Sequence, residues 1–88
     1  LVKALWLPKA RVFFTQGLKA LAEVEVLDEQ GAMHRIDRLV YTPEGLVLQE
    51  FKLGVRRRAH WEQVRLYHRL VTKALGQSPR AYLFYLEE

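Results

Sequence analysis

The segment His34–Leu53 reads HRIDRLVY, TPEG and LVLQEFKL, which are two β-prone runs on either side of a turn that contains proline and glycine. This pattern predicts a β-hairpin. If Tyr41 and Leu46 close the turn, Asp37 lies directly opposite Glu50, and their side chains share one face of the sheet. The hairpin therefore sets two carboxylates side by side.

Asp37 and Glu50 form a pair of like charges, which destabilises a sheet unless a cation lies between them. Lys52 joins the face of Glu50, because residues two apart on a strand point the same way. Oxygen ligands suit Mg²⁺ or Mn²⁺, and a nearby lysine can orient or deprotonate an attacking water. The alternative is two surface carboxylates neutralised by Arg35, Arg38 and Lys52. The hairpin alone favours the two interpretations about equally.

The length of the chain, 88 residues, predicts one small domain over residues 1–88. Half of the residues are hydrophobic, which favours a packed globule over a disordered tail. The start at Leu1 rather than Met is consistent with a chain truncated at its N-terminal side.

Composition excludes several kinds of chemistry. The chain has no cysteine, which rules out disulfides, thiolate catalysis and zinc sites of the cysteine type. Its first seven residues are an apolar run that Pro8 ends, too short to span a bilayer and without the cleavage region of a signal peptide. We therefore expect a cytoplasmic protein with no membrane partner. A net charge of +4 permits a polyanionic partner without requiring one.

Two helices and two further strands are predicted around the hairpin. They are a helix at Lys9–Leu21, a strand at Glu23–Leu27, a long helix from about Ala59 to Leu75 that ends at Gly76, and a strand at Arg80–Leu86. Both faces of the hairpin are apolar, with Ile36, Val40, Val47 and Phe51 on one face and Leu39, Tyr41, Leu46 and Leu48 on the other. A sheet that is apolar on both sides needs covering on both sides, which implies an α/β sandwich.

The strand before the hairpin can pair with it in two registers. In one register Glu25 lies opposite His34 and away from the carboxylate pair. A slip by one residue puts Glu23 opposite Asp37, beside the predicted metal. The sequence leaves both registers open. For Glu25 we expect ion pairs on a solvent-exposed sheet edge.

The segment after the hairpin carries a basic loop and a polar pair on the long helix. Arg56, Arg57 and Arg58 follow the second strand directly, and this position favours phosphate contacts over a merely solvated charge run. Gln63 and Tyr67 are four residues apart and therefore stack on one helical face. A glutamine on an otherwise apolar stripe needs a hydrogen-bond partner.

Three short motifs together resemble a known family. They are Ile36-Asp37-Arg38, Glu50-Phe51-Lys52 and Gln63-Val64-Arg65-Leu66-Tyr67. Their spacing and order resemble the PD-(D/E)XK nuclease superfamily, and within it the RecB/AddA-type nuclease domains attached to DNA helicases, which add a QxxxY helix. The resemblance covers the chain from about Arg11 to Leu86. It implies a restriction-endonuclease-like α/β core, a central mixed sheet of about four strands flanked by helices in the order α-β-β-β-α-β.

The resemblance implies a catalytic role for each matching residue. Asp37 and Glu50 would bind Mg²⁺ or Mn²⁺, together with the backbone carbonyl of Phe51. Lys52 would position the attacking water and stabilise charge that develops on the phosphate. These roles agree with the hairpin geometry, which follows from the register alone.

The same resemblance assigns contacts with DNA. Gln63 and Tyr67 would orient the site and touch the substrate, and Arg56, Arg57 and Arg58 would add phosphate contacts. The implied activity is Mg²⁺-dependent hydrolysis of DNA phosphodiester bonds, in the nuclease module of a helicase-nuclease that serves recombination and repair. The helicase module would belong to the same chain or to a partner chain.

Several positions depart from the family pattern. Relatives commonly carry a glycine where this chain has His34, and a threonine or serine where it has Leu53. RecB-type domains also draw a histidine ligand from an upstream helix, which has no match in these residues, so Glu23 is a candidate to complete the metal shell. His60 and His68 fall outside the motif, and we expect them to be surface residues of the helix rather than ligands.

Two other functions remain open from the sequence. The first is a catalytically inactive module that keeps the fold and the Arg56–Arg58 loop for binding DNA or docking a helicase. The second is an enzyme that acts on another polyanion such as RNA, since the sequence contains no base-reading motif. Neither the choice between exonuclease and endonuclease nor the oligomeric state follows from the sequence.

Overall fold

A computed structural model describes residues 2–6 and 19–86. These residues form five strands and one helix. They are β1 (Val2–Trp6), β2 (Lys19–Leu27), β3 (Met33–Thr42), β4 (Gly45–Leu53), α1 (Arg58–Leu75) and β5 (Arg80–Leu86). None of the described residues forms a helix with the length and apolarity needed to cross a bilayer.

The five strands form one mixed sheet in the order β1-β5-β4-β3-β2. The pairs β2/β3 and β3/β4 are antiparallel, whereas β4/β5 and β1/β5 are parallel. Two parallel neighbours cannot be joined by a tight turn, and α1 provides the crossover between β4 and β5. The expectation of an α/β fold with a mixed sheet is therefore confirmed.

The hairpin between β3 and β4 has the predicted register. Tyr41 pairs with Leu46 and Thr42 with Gly45 across the turn. The φ angle of Gly45 is 126°, a conformation that L side chains rarely adopt. The Thr42 hydroxyl donates to the Gly45 carbonyl at 2.7 Å and closes the turn further. This turn chemistry fixes which residues of the two strands oppose each other.

The pairing of β2 with β3 follows the second of the two predicted registers. Val24 pairs with Ile36, and Glu25 pairs with Arg35 rather than with His34. Glu23 interrupts the ladder, with a φ angle of 52° in the left-handed region. It lies level with Asp37, and its side chain is exposed.

The first predicted helix is wrong in the part that the structure describes. Residues 9–18 of the predicted helix lie outside the described residues. The last three, Lys19–Leu21, belong to β2, where they pair with Tyr41, Val40 and Leu39. Pairing with a neighbouring strand overrides the helical spacing of a short apolar segment. One helix is therefore present among residues 2–6 and 19–86.

A fifth strand was not predicted from the sequence. β1 pairs with β5 in a parallel arrangement at the edge of the sheet. Its partner β5 lies at the other end of the chain. The two strands are not joined by a turn, so no turn motif in the sequence could indicate that they pair. The long helix α1 is confirmed with one extra residue at its start. Its end is also confirmed, because Gly76 has a φ angle of 67° and donates its N–H to the Thr72 carbonyl.

The helix α1 packs on one face of the sheet. Its buried residues are Val64, Tyr67, Leu70 and Val71. On the sheet side, the same core contains Ile36 and Leu39 of β3, Leu46 and Leu48 of β4, and Ala81, Leu83 and Tyr85 of β5. Ala74 and Leu75, at the end of α1, are exposed and line an apolar groove together with Val24 and Leu27 of β2.

The opposite face of the sheet is buried as well. Its core contains Val40, Val47, Tyr82 and Phe84, with Ala20 and Phe51 packed against it. Both faces of the sheet therefore carry buried apolar side chains, and α1 covers one of these faces. Ile36 is an exception to the predicted faces, because it lies in the core beneath α1 together with Leu39. Strict alternation along β3 breaks between these two residues, where β3 leaves β4.

Candidate functional site

The candidate site lies where β3 and β4 separate. The backbone ladder between these strands ends at the pair Arg38 and Gln49, and Asp37 and Glu50 come next. The backbone N–H of Asp37 donates to Oε1 of Glu50 at 2.8 Å. In return, the backbone N–H of Phe51 donates to Oδ2 of Asp37 at 2.8 Å. The two carboxylates thus lie against each other's strand, as the register predicts.

Glu50 is buried at the centre of this arrangement, with 2 % of its surface exposed. Burial raises the pKa of Glu50 from an ordinary value of 4.5 to about 8. The Asp37 side chain adds to the rise, while the Asp37 amide and the positive charge of Lys52 act against it. In the metal-free chain Glu50 therefore holds a proton at neutral pH.

Lys52 lies at the same end of the sheet. One residue, Phe51, separates it from Glu50 along β4, and its Cα partner in β5 is Tyr85. Its positive charge lowers the pKa of Glu50 and also the pKa of His60. Lys52 therefore lies close enough to act on the carboxylate pair electrostatically.

The polar pair of α1 reaches the carboxylates from above the sheet. Tyr67 is 5 % exposed, and its pKa is raised by burial and then by the negative charges of Glu50 and Asp37. A hydrogen bond with Gln63 acts in the opposite direction on the Tyr67 pKa. Tyr67 is thus the partner that the sequence required for Gln63. The structure brings Asp37, Glu50, Lys52, Gln63 and Tyr67 to one end of the sheet.

Glu23 approaches this end from β2. It lies level with Asp37 along the strand, in the interruption between the paired residues Ala22 and Val24. Among residues 19–86 and 2–6, no three His, Asp or Glu side chains come together in a group that could hold a metal ion. Completion of a metal shell by Glu23 stays a prediction.

The basic loop leads from β4 into α1. Arg57 is the N-cap residue of α1 and Arg58 is its first residue. The guanidinium carbon of Arg56 lies 5.9 Å from the centroid of the Tyr85 ring. Because Tyr85 is the neighbour of Lys52 across the sheet, the loop begins next to the lysine end of the site.

His34 lies beside the site, in contact with Tyr67. The sequence motifs did not indicate this contact. Its Nε2 atom lies 2.9 Å from Oδ2 of Asp28, and its ring meets the edge of Tyr67 with centroids 5.9 Å apart. The hydrogen bond from His34 holds the pKa of Asp28 below its usual range. The turn residues that follow Asp28 predict a sharp reversal, and this reversal brings Asp28 beside the start of β3.

His60 is more enclosed than the surface residue that we expected. Its Nδ1 atom lies 3.2 Å from the Tyr85 hydroxyl, and burial lowers its pKa, followed by the charges of Lys52 and Arg57. His68 is partly buried, and its Nε2 atom lies 3.1 Å from the Ser78 hydroxyl. This contact does not involve Asp37 or Glu50. The position of His60 could not be predicted from the sequence, because its contact with Tyr85 depends on how the start of α1 packs against β5.

Comparison with known proteins identifies no relative of this chain. No protein-family model matches it, and no curated protein or solved structure matches it either. What the chain does therefore has to follow from the arrangement of Asp37, Glu50 and their neighbours.

Proposed function

We propose that the chain is a metal-dependent DNA nuclease domain of the PD-(D/E)XK type, with a restriction-endonuclease-like core. The observation that carries the proposal is the pair of Asp37, which is half-buried, and Glu50, which is buried, joined by two reciprocal hydrogen bonds of 2.8 Å from backbone N–H groups to the carboxylates. Burial of Glu50 raises its pKa to about 8, and the neighbouring Asp37 carboxylate adds to the rise. Such an arrangement is unfavourable alone and becomes favourable when a divalent cation replaces the proton.

The donor atoms fit a hard cation. Each carboxylate accepts a backbone N–H through one oxygen, Oδ2 of Asp37 and Oε1 of Glu50, so the second oxygen of each is the natural ligand. The backbone carbonyl of Phe51 would be a third oxygen ligand. Oxygen ligands with water in the remaining positions suit Mg²⁺ and also Mn²⁺. When bound, such an ion lowers the pKa of a water and stabilises charge on a phosphate.

The neighbouring side chains have roles that match hydrolysis of a phosphodiester. Lys52 supplies a positive charge beside Glu50, where it would orient the attacking water and stabilise the anionic transition state. Tyr67 lies near both carboxylates and is hydrogen-bonded to Gln63, and both residues belong to the helix that packs on the sheet. They would hold the substrate phosphate in line for attack.

The proposed substrate is DNA, and the proposed partner is a helicase module in the same chain or in a second chain. Arg56, Arg57 and Arg58 support a polyanionic substrate, because all three are exposed and Arg56 lies against Tyr85, the neighbour of Lys52 in the sheet. The helicase partner and a role in recombination or repair follow from the RecB/AddA-type motif order alone. The cofactor in this proposal is Mg²⁺ or Mn²⁺.

The test combines calorimetry with a cleavage assay on the same samples. Mg²⁺ and Mn²⁺ are titrated into the wild-type chain and into Asp37→Ala, and cleavage of linear DNA is then measured. We expect metal binding and cleavage in the wild type and neither in the variant. Lys52→Ala should lose cleavage, because the water is no longer oriented, and should keep metal binding.

Matched controls separate these roles from loss of fold. Asp37→Asn keeps an oxygen that can accept the Phe51 N–H, so its circular dichroism should match the wild type while cleavage is lost. Glu44→Ala, in the exposed β3–β4 turn, removes a carboxylate far from the site and should leave cleavage unchanged. Full cleavage by folded Asp37→Ala or Lys52→Ala would disprove the assigned roles.

A catalytically inactive DNA-binding or helicase-docking module is the second candidate. It is favoured by the same hydrogen bonds, because they give Asp37 and Glu50 a structural role in closing the ends of β3 and β4. This candidate predicts DNA affinity that does not change with divalent metal or with Asp37→Ala. Metal-dependent cleavage by the wild-type chain would rule it out.

A further inference from the structure

A groove opens on the surface where the basic loop enters α1. Its volume is about 590 Å³. Its lining residues are Arg56, Arg57, Arg58, Trp61, Glu62 and Arg65. Four of these six side chains are guanidiniums, and they come from the loop and from the first two turns of the helix. The sequence drew attention to the first three arginines but not to Trp61 or Arg65.

The charges of the groove are arranged for an anion from outside the chain. The first turn of α1 has no acidic residue, and its N-cap residue Arg57 makes no side-chain capping hydrogen bond. A helix N-terminus carries partial positive charge and normally attracts Asp and Glu, so arginines there are unfavourable without an anion. In residues 19–86, no carboxylate lies within ion-pair distance of these four guanidiniums.

Trp61 gives the groove an aromatic wall. It is partly buried and packs against the core beneath α1, which also contains Val64 and Tyr85. The rest of its surface faces the groove that the arginines line. Packing against the core does not explain why four arginines line the groove beside the exposed part of Trp61. A ring held by the core and exposed among phosphate-binding groups can stack on a nucleobase.

The groove lies next to the lysine end of the candidate catalytic site. Arg56 lies over the ring of Tyr85 at 5.9 Å, and Tyr85 is the neighbour of Lys52 in the sheet. A strand lying in the groove would therefore pass from Trp61 towards Lys52. Its phosphates would reach the carboxylate pair at that end.

We propose that this groove binds a single strand of DNA, with phosphates on the arginines and one base stacked on Trp61. The proposal rests on the proposed function and deepens it, because it names the form of the substrate. Bases in a duplex are paired and stacked on each other, so their faces are not available to Trp61. An unpaired strand offers a free base face and phosphates at the same time.

The test measures binding without metal, so cleavage does not interfere. Fluorescence anisotropy in the presence of EDTA compares three labelled ligands: an oligothymidine, an abasic oligomer with the same number of phosphates, and a duplex of the same length. We expect the wild type to bind the oligothymidine about tenfold more tightly than the abasic oligomer, because stacking adds to phosphate contacts. The duplex should bind more weakly than the oligothymidine.

A substitution at Trp61 assigns the base contact. Trp61→Leu keeps an apolar side chain against the core but removes the aromatic ring, so the oligothymidine and the abasic oligomer should bind equally. Trp61→Phe keeps a smaller ring and should retain part of the difference. Circular dichroism checks the fold of both variants. The comparison of ligands in the wild type tests the same point without any substitution.

Two arginines of α1 provide a matched pair for the phosphate contacts. Arg65 lines the groove, whereas Arg69, one turn further along, lies 3.8 Å from Glu29 and outside the groove. Arg65→Ala should weaken oligothymidine binding and lower the slope of log affinity against log salt by about 0.7, the value for one phosphate contact on a single strand. Arg69→Ala removes the same charge and should leave that slope unchanged.

Three results would overturn the proposal: equal wild-type affinity for oligothymidine and the abasic oligomer, tighter binding of the duplex, or equal effects of Arg65→Ala and Arg69→Ala. Failure of the nuclease proposal is a separate result. In that case Mg²⁺ binding and cleavage are absent while base-dependent binding remains. Cleavage that depends on Asp37, without base-dependent binding, would keep the nuclease and disprove the stacking site.

Discussion

Asp28 and Glu50 are both carboxylates that contact β3, and their surroundings have opposite effects on them. Asp28 precedes β3 in the β2–β3 turn, where its Oδ1 accepts the backbone N–H groups of Gln30 and Ala32 at 2.9 Å. His34 binds its other oxygen, and together these donors hold the pKa of Asp28 below its ordinary value. These hydrogen bonds favour the ionised form more than burial opposes it.

Glu50 lies beside Asp37 of β3. It therefore faces another carboxylate, whereas Asp28 is surrounded by hydrogen-bond donors. Burial and Asp37 raise its pKa to about 8, although one backbone N–H and Lys52 act against the rise. A carboxylate that served only stability would resemble Asp28. The contrast indicates that the surroundings of Glu50 are suited to a bound cation rather than to the stability of the metal-free chain.

Glu50→Gln is the sharpest way to break this contrast, and it has the largest expected effect. The pKa of Glu50 is about 8 in the folded chain against an ordinary 4.5, so between these values the folded chain holds a proton that the unfolded chain has lost. The free energy of unfolding of the wild type therefore falls as pH rises through this window. Above pH 8 the glutamine variant should be more stable by up to ~5 kcal/mol. Urea unfolding of both proteins across this range measures the difference.

The control lies within the same experiment. Below pH 4.5 Glu50 is protonated in both states, so the stabilities of Glu50→Gln and the wild type should converge. A constant difference across the whole range would mean that the substitution acts through packing. It would then say nothing about the charge of Glu50.

The affinity for Mg²⁺ should depend on the same proton. Below pH 8, binding of the ion must release the proton of Glu50. Each unit by which the pH falls should therefore lower the affinity for Mg²⁺ by about tenfold. Between pH 8 and pH 6 we expect a loss of up to about 100-fold, measured by calorimetry in two buffers of different ionisation enthalpy. An observed binding enthalpy that is the same in both buffers would mean that no proton is released and would contradict this linkage. Asp28→Asn should show the same pH dependence as the wild type.

Asp28→Asn sharpens the contrast from the other side and should have a smaller effect of opposite sign. Asparagine keeps an oxygen for the Gln30 and Ala32 amides but loses the negative charge beside His34. The pKa of Asp28 lies below 3.8 in the folded chain, so its contribution is present at neutral pH and disappears as pH falls through that lower value. Thermal unfolding should show a lower Tm for the variant at pH 7 and a vanishing difference in acid.

The sequence predicts the Glu50 side of this comparison better than the rest of the molecule. Alternation and a Pro-Gly turn fix the β3–β4 register, which places Asp37 beside Glu50 through local rules alone. The β2–β3 register was left open, because it depends on a left-handed conformation at Glu23 that glutamate rarely adopts. Alternation also misplaced Ile36, since it does not reveal where β3 separates from β4.

Features formed by distant parts of the chain could not be predicted in the same way. The pairing of β1 with β5 and the contact of His60 with Tyr85 depend on how elements far apart in sequence dock. The groove beside Trp61 has the same origin, because the loop and α1 line it together. Spacing rules describe one element at a time. They do not predict the tertiary packing that creates a groove.

Glu23→Gly has the smallest expected effect and tests whether a third carboxylate belongs to the Glu50 side. Glu23 has a φ angle of 52°, and glycine should relieve that strain and stabilise the chain by about 1 kcal/mol in urea unfolding. Glu25→Gly is the matched control, because Glu25 is regularly paired with Arg35 and glycine should there destabilise by a similar amount. Since the Glu23 side chain is exposed, we expect the affinity for Mg²⁺ to stay unchanged. A tenfold or greater loss of affinity in a stabilised Glu23→Gly would instead make this glutamate a ligand, because a strained residue that binds the ion trades stability for function.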